Sequence, residues 1–423
     1  MVSRSLGSYV ATVAVLCCAL GASAAHADAE TWGQWRGPTR DGKIAGPPWP
    51  DTLQGEALQR VWRVELGPSY SGPIVVGDRV FVTETRKKAD EVVRALDKRT
   101  GKELWSASWP GATRVPFFAA SNGSWIRSTP AWDERSLYVA GMRDVLVSLD
   151  DQTGQERWRV DFVSSLNTPP PDFGFVSSPL IVGNDLYVQA GASLTKVDKR
   201  TGRMIWRALK NDGGMWGGAF SSPVIATIGG VPQLVVQTRT ALAGVNVESG
   251  AALWSQAIPA FRGMNILTPV VFGDRVFTSS YGGKSMVLEI RKQGEGFVAE
   301  QIWKTNVEGY MSTPIVIDGF VYLHLRSQRF TCIDLATGKA RWTSKPFGQY
   351  WSMIAQGDRI LALDQRGELL LIRATSDKFD LLDRREISEV TTWAHVAMSG
   401  DLIFVRELEA LAAYRWKTPD ATK

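Results

Sequence analysis

The sequence predicts an all-β fold, an eight-bladed β-propeller with four-stranded antiparallel blades, from three observations. First, one phrase recurs along the chain: a small residue, any residue and Pro, then short apolar strands, then Asp-x-x-Thr-Gly-x-x-x-Trp. Second, residues 58–416 divided over eight copies give about 45 residues each, the usual length of a four-stranded blade. Third, no long segment with a helical apolar period follows the first 27 residues.

The first 27 residues have the pattern of a secretory signal peptide. Arg4 supplies a positive charge, residues 10–20 form an apolar run, and Ala25-His26-Ala27 is a small-x-small cleavage site. We therefore expect cleavage after Ala27 and export to the periplasm or the extracellular space.

The cysteines and the charge restrict the classes of partner. Cys17 and Cys18 lie within the signal and lack the small preceding residue of a lipoprotein signal, so we expect a soluble monomer without direct membrane insertion. After cleavage Cys332 is the remaining cysteine, which excludes an internal disulfide. The loss of Arg4 lowers the 48 basic residues to 47 against 43 acidic ones, and this mild excess argues against a nucleic-acid partner.

Residues 28–57 form an extension that is rich in Trp, Gly and Pro and has no strand period. It contains Trp32, Trp35 and Trp49. Three tryptophans left in solvent would be an aggregation hazard, so we expect the extension to wrap the side of the propeller. A partner-binding arm is the alternative.

The eight copies define the propeller from residue 58 to residue 416, followed by a tail at 417–423. Six copies carry the full phrase or most of it, whereas copies seven and eight, at Gly357-Asp358 and Gly400-Asp401, lack the Pro and the Thr-Gly turn. An extra strand at residues 60–64 precedes the first copy and is predicted to pair with the last blade, which would close the ring and leave no open edge. One tryptophan per blade is predicted to pack between neighbouring blades: Trp62, Trp105, Trp158, Trp206, Trp254, Trp303 and Trp342.

The phrases Ala95-Leu96-Asp97 to Trp105 and Ser148-Leu149-Asp150 to Trp158 resemble the repeat of pyrroloquinoline quinone (PQQ)-binding-like β-propellers. The resemblance covers residues 58–416, and in size, blade count and export the chain is most similar to the BamB family, the periplasmic propellers of the outer-membrane β-barrel assembly machine. This resemblance implies a rigid, non-catalytic scaffold that binds a periplasmic or outer-membrane protein or peptide. Because one fold supports many functions, the repeat is specific for the fold and weakly specific for the activity.

The partner is expected to bind at the funnel face, where the segments leading into each innermost strand meet the loops between second and third strands. Aromatic and arginine side chains collect there, with few acids. Arginine offers a planar fork for anions and stacks on aromatic rings, so this surface suits a peptide, carboxylate or phosphate-bearing ligand. The predicted binding residues are Tyr70, Trp125, Arg127, Arg143, Trp216, Phe220, Arg239, Tyr310, Arg326, Tyr350, Trp351, Arg366, Trp393 and His395.

An enzyme would need catalytic groups that the sequence does not supply in a known pattern. After cleavage His324 and His395 remain, and neither has the spacing of a metal-binding pair, so no metal site, no catalytic residue and no cofactor are expected.

Two other functions stay open. One is a PQQ- and calcium-dependent alcohol or sugar dehydrogenase. It needs oxygen ligands for the calcium ion and a base for the alcohol proton. The loops that lead into each innermost strand, called the lead-in loops here, offer scattered Asp, Asn and Glu residues without a cluster. The other is a small-molecule or glycan binding module with the same funnel and no turnover.

Overall fold

The computed structural model describes residues 31–417. The predicted signal peptide and its cleavage site at Ala27 lie outside the described residues, as does the tail beyond Lys417. None of the helices formed by residues 31–417 is long and apolar enough to cross a membrane.

The strands form eight four-stranded antiparallel sheets, which confirms the predicted eight-bladed propeller. Blades one to four comprise β2 (Ile74–Val76), β3 (Arg79–Arg86), β4 (Asp90–Asp97), β5 (Glu103–Pro110); β6 (Ala131–Asp133), β7 (Ser136–Gly141), β8 (Val145–Asp150), β9 (Glu156–Asp161); β10 (Leu180–Val182), β11 (Asp185–Gln189), β12 (Leu194–Asp198), β13 (Met204–Ala208); and β14 (Val224–Ile228), β15 (Val231–Gln237), β16 (Ala241–Asn246), β17 (Ala252–Ala257). Blades five to eight comprise β18 (Val270–Phe272), β19 (Arg275–Ser279), β20 (Ser285–Gln293), β21 (Gly296–Thr305); β22 (Ile315–Ile317), β23 (Phe320–His324), β24 (Arg329–Asp334), β25 (Ala340–Pro346); β26 (Trp351–Gln356), β27 (Arg359–Asp364), β28 (Glu368–Arg373), β29 (Asp380–Glu386); and β30 (Ala397–Ser399), β31 (Leu402–Glu407), β32 (Ala410–Trp416) with β1 (Leu58–Glu65).

Short helices lie in the connections between these strands. They are one α-helix, α1 (Phe162–Leu166), and 3-10 turns at Gly55–Ala57, Phe117–Asn122, Gly214–Trp216 and Phe261–Gly263.

The ring is closed by the N-terminal strand, as predicted. β1 pairs antiparallel with β32, so the eighth blade takes its outermost strand from the start of the propeller and its other three from the end. Trp62 of β1 then packs on Gly101 of blade one and donates its indole N–H to the Lys98 carbonyl at 2.9 Å. The contact between the last and first blades is therefore of the same kind as the contacts between consecutive blades.

The Thr-Gly-Trp phrase builds one contact repeatedly, which blades two and three illustrate. Asp198 Oδ1 accepts the backbone N–H of Thr201 and its hydroxyl, both at 3.0 Å, which fixes a turn. Gly202 follows with φ of +75°, a left-handed backbone that a side chain would strain, and the Trp158 ring lies where its Cβ would be. The Trp158 indole N–H donates to the Lys199 carbonyl at 3.1 Å. Each such tryptophan thus joins its own blade to the next.

Trp254 lies between two blades like the other tryptophans, but its indole N–H bonds within its own blade and not to the next one. It is buried between blades four and five, beside Val276 and Leu288, as predicted. Its indole N–H donates to Gln233 Oε1 within its own blade, at 2.8 Å.

The chain before β1, residues 31–57, is called the arm here, and its first half differs from the sequence expectation. Residues 31–43 cross the central channel at the end opposite the funnel, instead of wrapping the side. Trp32 exchanges backbone hydrogen bonds with Val75, Gly33 accepts from Trp132, and Lys43 pairs with Ala355, so the arm touches the innermost strands of blades one, two and seven.

Residues 49–57 behave as predicted and cover the side of blades seven and eight. Trp49 packs on Trp416, with ring centroids 5.3 Å apart, and the Trp416 indole donates to the Thr52 carbonyl at 2.8 Å. Asp383 accepts from the Thr52 hydroxyl and the Leu53 N–H, both at 2.7 Å. The arm therefore completes the core of the two blades that lack the full phrase.

Candidate functional site: the funnel pocket

The funnel encloses a cavity of about 340 Å³, at the low end of the usual range for ligand pockets. Its walls come from the lead-in loops, which are long before blades two to five because they carry α1 and three of the 3-10 turns. The loops containing Phe117-Phe118 and Pro169-Pro170-Pro171 lie over this face, since Phe118 and Phe173 line the cavity. The short strands thus form a scaffold that holds the lead-in loops around one opening.

Aromatic side chains follow one another around this opening and form what we call the aromatic collar. Neighbouring rings have centroids 3.6 to 6.2 Å apart, and the closest pair, Tyr350 and Trp393, is stacked at 3.6 Å with an interplanar angle of 7°. Its members are Tyr70, Trp393, Tyr350, Tyr310, Tyr281, Phe261, Phe118, Phe173 and Phe220. Arg262 joins Phe261 to Phe118, with its guanidinium 5.2 and 5.4 Å from the two rings.

Three arginines line the cavity, and no Asp or Glu side chain of the described residues does. Arg239 lies over Phe220 at 4.4 Å and donates to the carbonyls of Gly263, Arg262 and Gly218. Burial lowers its pKa to about 10, which still leaves it charged at neutral pH. The pocket therefore combines apolar walls with an uncompensated positive charge.

Arg127 has N–H donors that are not used by other described residues. One terminal nitrogen donates to the Gly123 carbonyl at 2.8 Å, and the guanidinium lies 5.6 Å from the Tyr70 ring. Its Nε is buried and has no partner within the described residues. Burial lowers the pKa of Arg127, while the nearby Tyr70 and Tyr350 hydroxyls act in the opposite direction.

The floor of the pocket is the arm. Trp35 lines the cavity and meets His395 edge to face at 5.3 Å. Arg36 and Arg40 lie 5.6 and 5.5 Å from the Trp35 ring and brace the channel, because Arg36 donates to the Pro314 carbonyl and Arg40 to the Pro179 carbonyl. These contacts to blades six and three make the funnel a blind pocket instead of an open channel.

Burial lowers the pKa of the basic groups at the floor, and Asp41 offsets only part of this effect for Arg36. The pKa of Arg36 falls to about 10 and that of Arg40 to about 9, the latter also because Arg36 repels a second positive charge. Burial and the charge of Arg36 lower the pKa of His395 to about 3, so this imidazole is neutral at physiological pH.

Above the floor, five hydroxyl groups circle the cavity. Each oxygen accepts a backbone N–H from the preceding blade, at 2.9 to 3.2 Å, as Thr268 Oγ1 does from Ser222 N. All five stand immediately before the Pro of the repeated phrase: Thr129, Ser178, Ser222, Thr268 and Thr313.

Eight of the fourteen predicted binding residues line the cavity. They are Tyr70, Arg127, Phe220, Arg239, Tyr310, Trp351, Trp393 and His395. Trp351 contributes little surface, because it is buried and stacks on Phe330 and His324 at 5.1 and 5.0 Å.

The other six lie outside the cavity lining. Tyr350 supports Trp393 from behind, and Trp216 is exposed at the rim, 5.5 Å from the Arg239 guanidinium. Arg326 pairs with Glu308 at 3.1 Å, and Arg366 donates to the Phe347 carbonyl. Trp125 is half-buried beside Gly123, and Arg143 is exposed. The structure thus does not bring Arg143, Arg326 and Arg366 into the pocket.

Sequence reasoning missed the floor and the hydroxyl groups. The dense phrase Trp32-Gly33-Gln34-Trp35-Arg36 signalled an ordered segment, but nothing in it indicated insertion into the channel. The hydroxyl groups are visible in the sequence as the Ser or Thr before each repeat Pro, but the repeat does not indicate that they face the cavity.

A bound calcium ion does not fit the cavity lining of the described residues. Calcium needs six to eight oxygen ligands, largely carboxylates, and no carboxylate lines the cavity. Residues 31–417 hold no group of three or more His, Cys, Asp or Glu able to share a metal ion. Asp161 caps α1, and Glu308 is paired with Arg326.

Comparisons with known proteins agree with this architecture. BamB of Yersinia pestis is 24% identical over 258 residues, which are 58% of this chain and 63% of that protein. The chain spans just under two thirds of the length of the curated BamB relatives that head the comparison.

Two solved structures share the fold. BamB from Moraxella catarrhalis aligns with a TM-score of 0.61 at 13% identity, over 85% of this chain and 98% of that one. A quinohemoprotein alcohol dehydrogenase from Comamonas testosteroni aligns with a TM-score of 0.62, also at 13% identity, over 95% and 83% of the two chains. At such identities the likeness establishes the fold alone.

The family comparison goes further than the fold. The family model described as outer membrane protein assembly factor BamB matches residues 89–344, which is more than half of the chain. The chain therefore belongs to the BamB family of β-propellers.

Proposed function

We propose that this chain is an exported, non-catalytic propeller that holds a segment of a periplasmic or outer-membrane protein at its funnel face. One observation carries the proposal: the opening is surrounded by an aromatic collar and three arginines, and the cavity lining contains no carboxylate. Aromatic side chains and arginine are the residues that most often dominate binding energy at protein interfaces. The family membership supports a partner among the outer-membrane assembly proteins.

The lead-in loops that carry part of the collar also have exposed apolar surface for such a segment. Phe117 is 90% exposed, Phe118 46%, Trp216 44% and Phe261 51%, and all four belong to the lead-in loops. Apolar side chains of a partner would bury these four residues at the interface, while the arginines would pair with the partner's acidic groups or backbone carbonyls.

Selection of peptides tests the proposal. Random twelve-residue peptides displayed on phage are selected against the purified chain, and the selected sequences are synthesised and titrated calorimetrically. We expect peptides that combine apolar or aromatic residues with a negative charge. Phe118→Ala should raise their Kd at least tenfold, since truncating an interface anchor costs on the order of 1–2 kcal/mol.

Val298→Ala is the matched control. Val298 is also 46% exposed, but it lies on β21, in the outermost strand of blade five and away from the funnel. Its substitution should leave Kd unchanged. If no peptide is enriched, or if both substitutions weaken binding equally, the funnel is not a peptide-binding site.

A second function, a small-molecule binding module, is favoured by the closed floor. A cavity of about 340 Å³ that ends at Trp35 has the size and shape for a small ligand. A small aromatic anion that binds in the absence of any selectable peptide would support this function over the first.

A further inference from the structure

The five hydroxyl groups around the cavity have unused donors. Each oxygen accepts one backbone N–H, and none of the five hydroxyls donates to a protein acceptor among residues 31–417. A hydroxyl carries one proton to donate, so each of these groups can donate to water or to a ligand in the cavity. A ligand with acceptor atoms can therefore replace water at all five positions.

Nitrogen donors at the same place are also unpaired. Arg127 Nε and Trp351 Nε1 are buried without a partner among the described residues, and both side chains line the cavity. Beneath Trp35, Arg36 Nε and Nη1 are buried and equally unpaired. A buried donor without a partner is unfavourable, so a ligand that accepts from those lining the cavity binds more tightly.

The charge that lines the cavity is positive. Arg127, Arg239 and Arg262 line it, and Arg36 and Arg40 lie behind the Trp35 ring, while no carboxylate of the described residues lines it. Asp41 and Asp172, the acids that act on Arg36 and Arg239, lie outside the lining. His395 is neutral and adds no charge at physiological pH. Coulomb interactions are stronger at such a site than in bulk water because the walls are apolar.

Resting on the function proposed above, we propose that the lower part of the funnel pocket is an oxyanion site for a carboxylate carried on an apolar or aromatic body. The carboxylate accepts from the hydroxyl groups and from Arg127, and the apolar body lies against the collar. The bound segment therefore enters with its negative group first.

A matched pair of probes tests the site without a known partner. The purified chain is titrated with 2-naphthoate and with its neutral analogue 2-naphthamide, at constant ionic strength, by calorimetry. We expect one naphthoate per chain and a Kd at least tenfold lower than for the amide. Arg127→Gln should bring the two Kd values within about twofold of each other and leave the amide unaffected, because the apolar contacts persist.

Two variants control for folding and for general charge. Arg127→Lys keeps the charge and should retain part of the preference, whereas Arg114→Gln removes an exposed arginine of the same loop and should change neither Kd. Equal affinities of the unsubstituted chain for the acid and the amide would overturn the inference. So would a preference that survives Arg127→Gln in a folded protein.

The source of the carboxylate is resolved with the selected peptides, each made as a free acid and as a C-terminal amide. Loss of affinity on amidation assigns the site to a peptide C-terminus. If the acid and amide peptides bind equally and naphthoate shows no preference, the oxyanion site fails while the peptide-binding function stands. If no peptide binds but naphthoate is preferred, the oxyanion site stands and the peptide-binding function fails.

Discussion

Blades one to six and blades seven and eight reach the same architecture by different contacts. In the first group, tryptophans of the repeated phrase join one blade to the next, as Trp158 does on Gly202. In the second group the phrase is missing, and the arm supplies the apolar side chains, with Trp49 and Leu53 buried against Trp416 and its neighbours. The difference teaches that a blade needs a filled outer core and a fixed turn, and that these do not have to come from its own sequence.

The largest expected effect is the loss of the arm. Deleting the residues before Gly55 removes Trp32, Trp49 and Leu53 from the core cluster shared by blades seven, eight and one. Burying side chains of this size contributes about 1.5–3 kcal/mol each, so the free energy of unfolding should fall by roughly 5 kcal/mol or more. Urea denaturation measures it, with a chain that begins at Thr31 as the control. A loss of unfolding free energy well below about 5 kcal/mol would show that blades seven and eight are stable without the arm.

Single tryptophans compare the two groups directly. Trp158→Ala and Trp49→Ala should each lower the free energy of unfolding by about 3–5 kcal/mol, because both leave a cavity in a packed junction. Trp158→Phe should cost less than Trp158→Ala, since it keeps apolar volume and loses the hydrogen bond to the Lys199 carbonyl. If Trp49→Ala proves nearly neutral by urea denaturation, the arm covers blades seven and eight without stabilising them.

Two carboxyl groups in the regular blades should make the stability depend on pH. Within residues 31–417 these are Glu91, whose pKa burial raises to about 6, and Asp144, whose pKa it raises to about 7, in blades one and two. A carboxyl whose pKa is higher in the folded state favours folding when protonated, so the contribution of these two groups should fall as pH rises from about 4 to about 7 and then level off. The lowered pKa values of His324 and His395 act in the opposite direction below about pH 6.5, because the unfolded chain then binds protons that the folded chain does not.

Asp144→Asn tests the larger of these two shifts. The amide keeps an acceptor for the Gly191 N–H and tolerates the left-handed backbone at this position, where φ is +63°. Above pH 7 the variant should be more stable than the unsubstituted chain by on the order of 2–4 kcal/mol, and this difference should shrink as pH falls from 7 to 4. Thermal unfolding at several pH values measures both. Parallel profiles would mean that Asp144 does not titrate in this window.

The smallest expected effects concern the turns. Asp198→Ala removes the acceptor that fixes the Thr-Gly turn of blade three and should cost about 1 kcal/mol, the usual contribution of a hydrogen bond of this kind. Asp383→Ala removes the acceptor that holds Thr52 and Leu53 on blade seven, and it should cost up to about twice as much because it also loosens the arm. Equal losses of unfolding free energy in urea denaturation would show that the turn and the arm contact contribute equally to stability.

The fold could be predicted from the sequence because each blade repeats its turn residues and its tryptophan at fixed spacing. The site could be predicted in part. The aromatic side chains of the collar follow from their place before the inner strands, as Tyr310 and Trp393 show. The arginines follow only in part: Arg127 and Arg239 line the cavity, whereas Arg326 pairs with a nearby acid that the repeat does not encode. The position of residues 31–43 in the channel could not be predicted, because their contacts to Pro179 and Pro314 join residues more than a hundred positions apart.

The floor of the pocket gives the protein a built-in order of assembly. Residues 31–43 are synthesised before any blade, yet they are held by strands from blades one, two and seven and by carbonyls from blades three and six. An incomplete ring has nowhere to seat Trp35, so it has an open channel and no floor. The closed cavity therefore exists only after the last blades have joined the first.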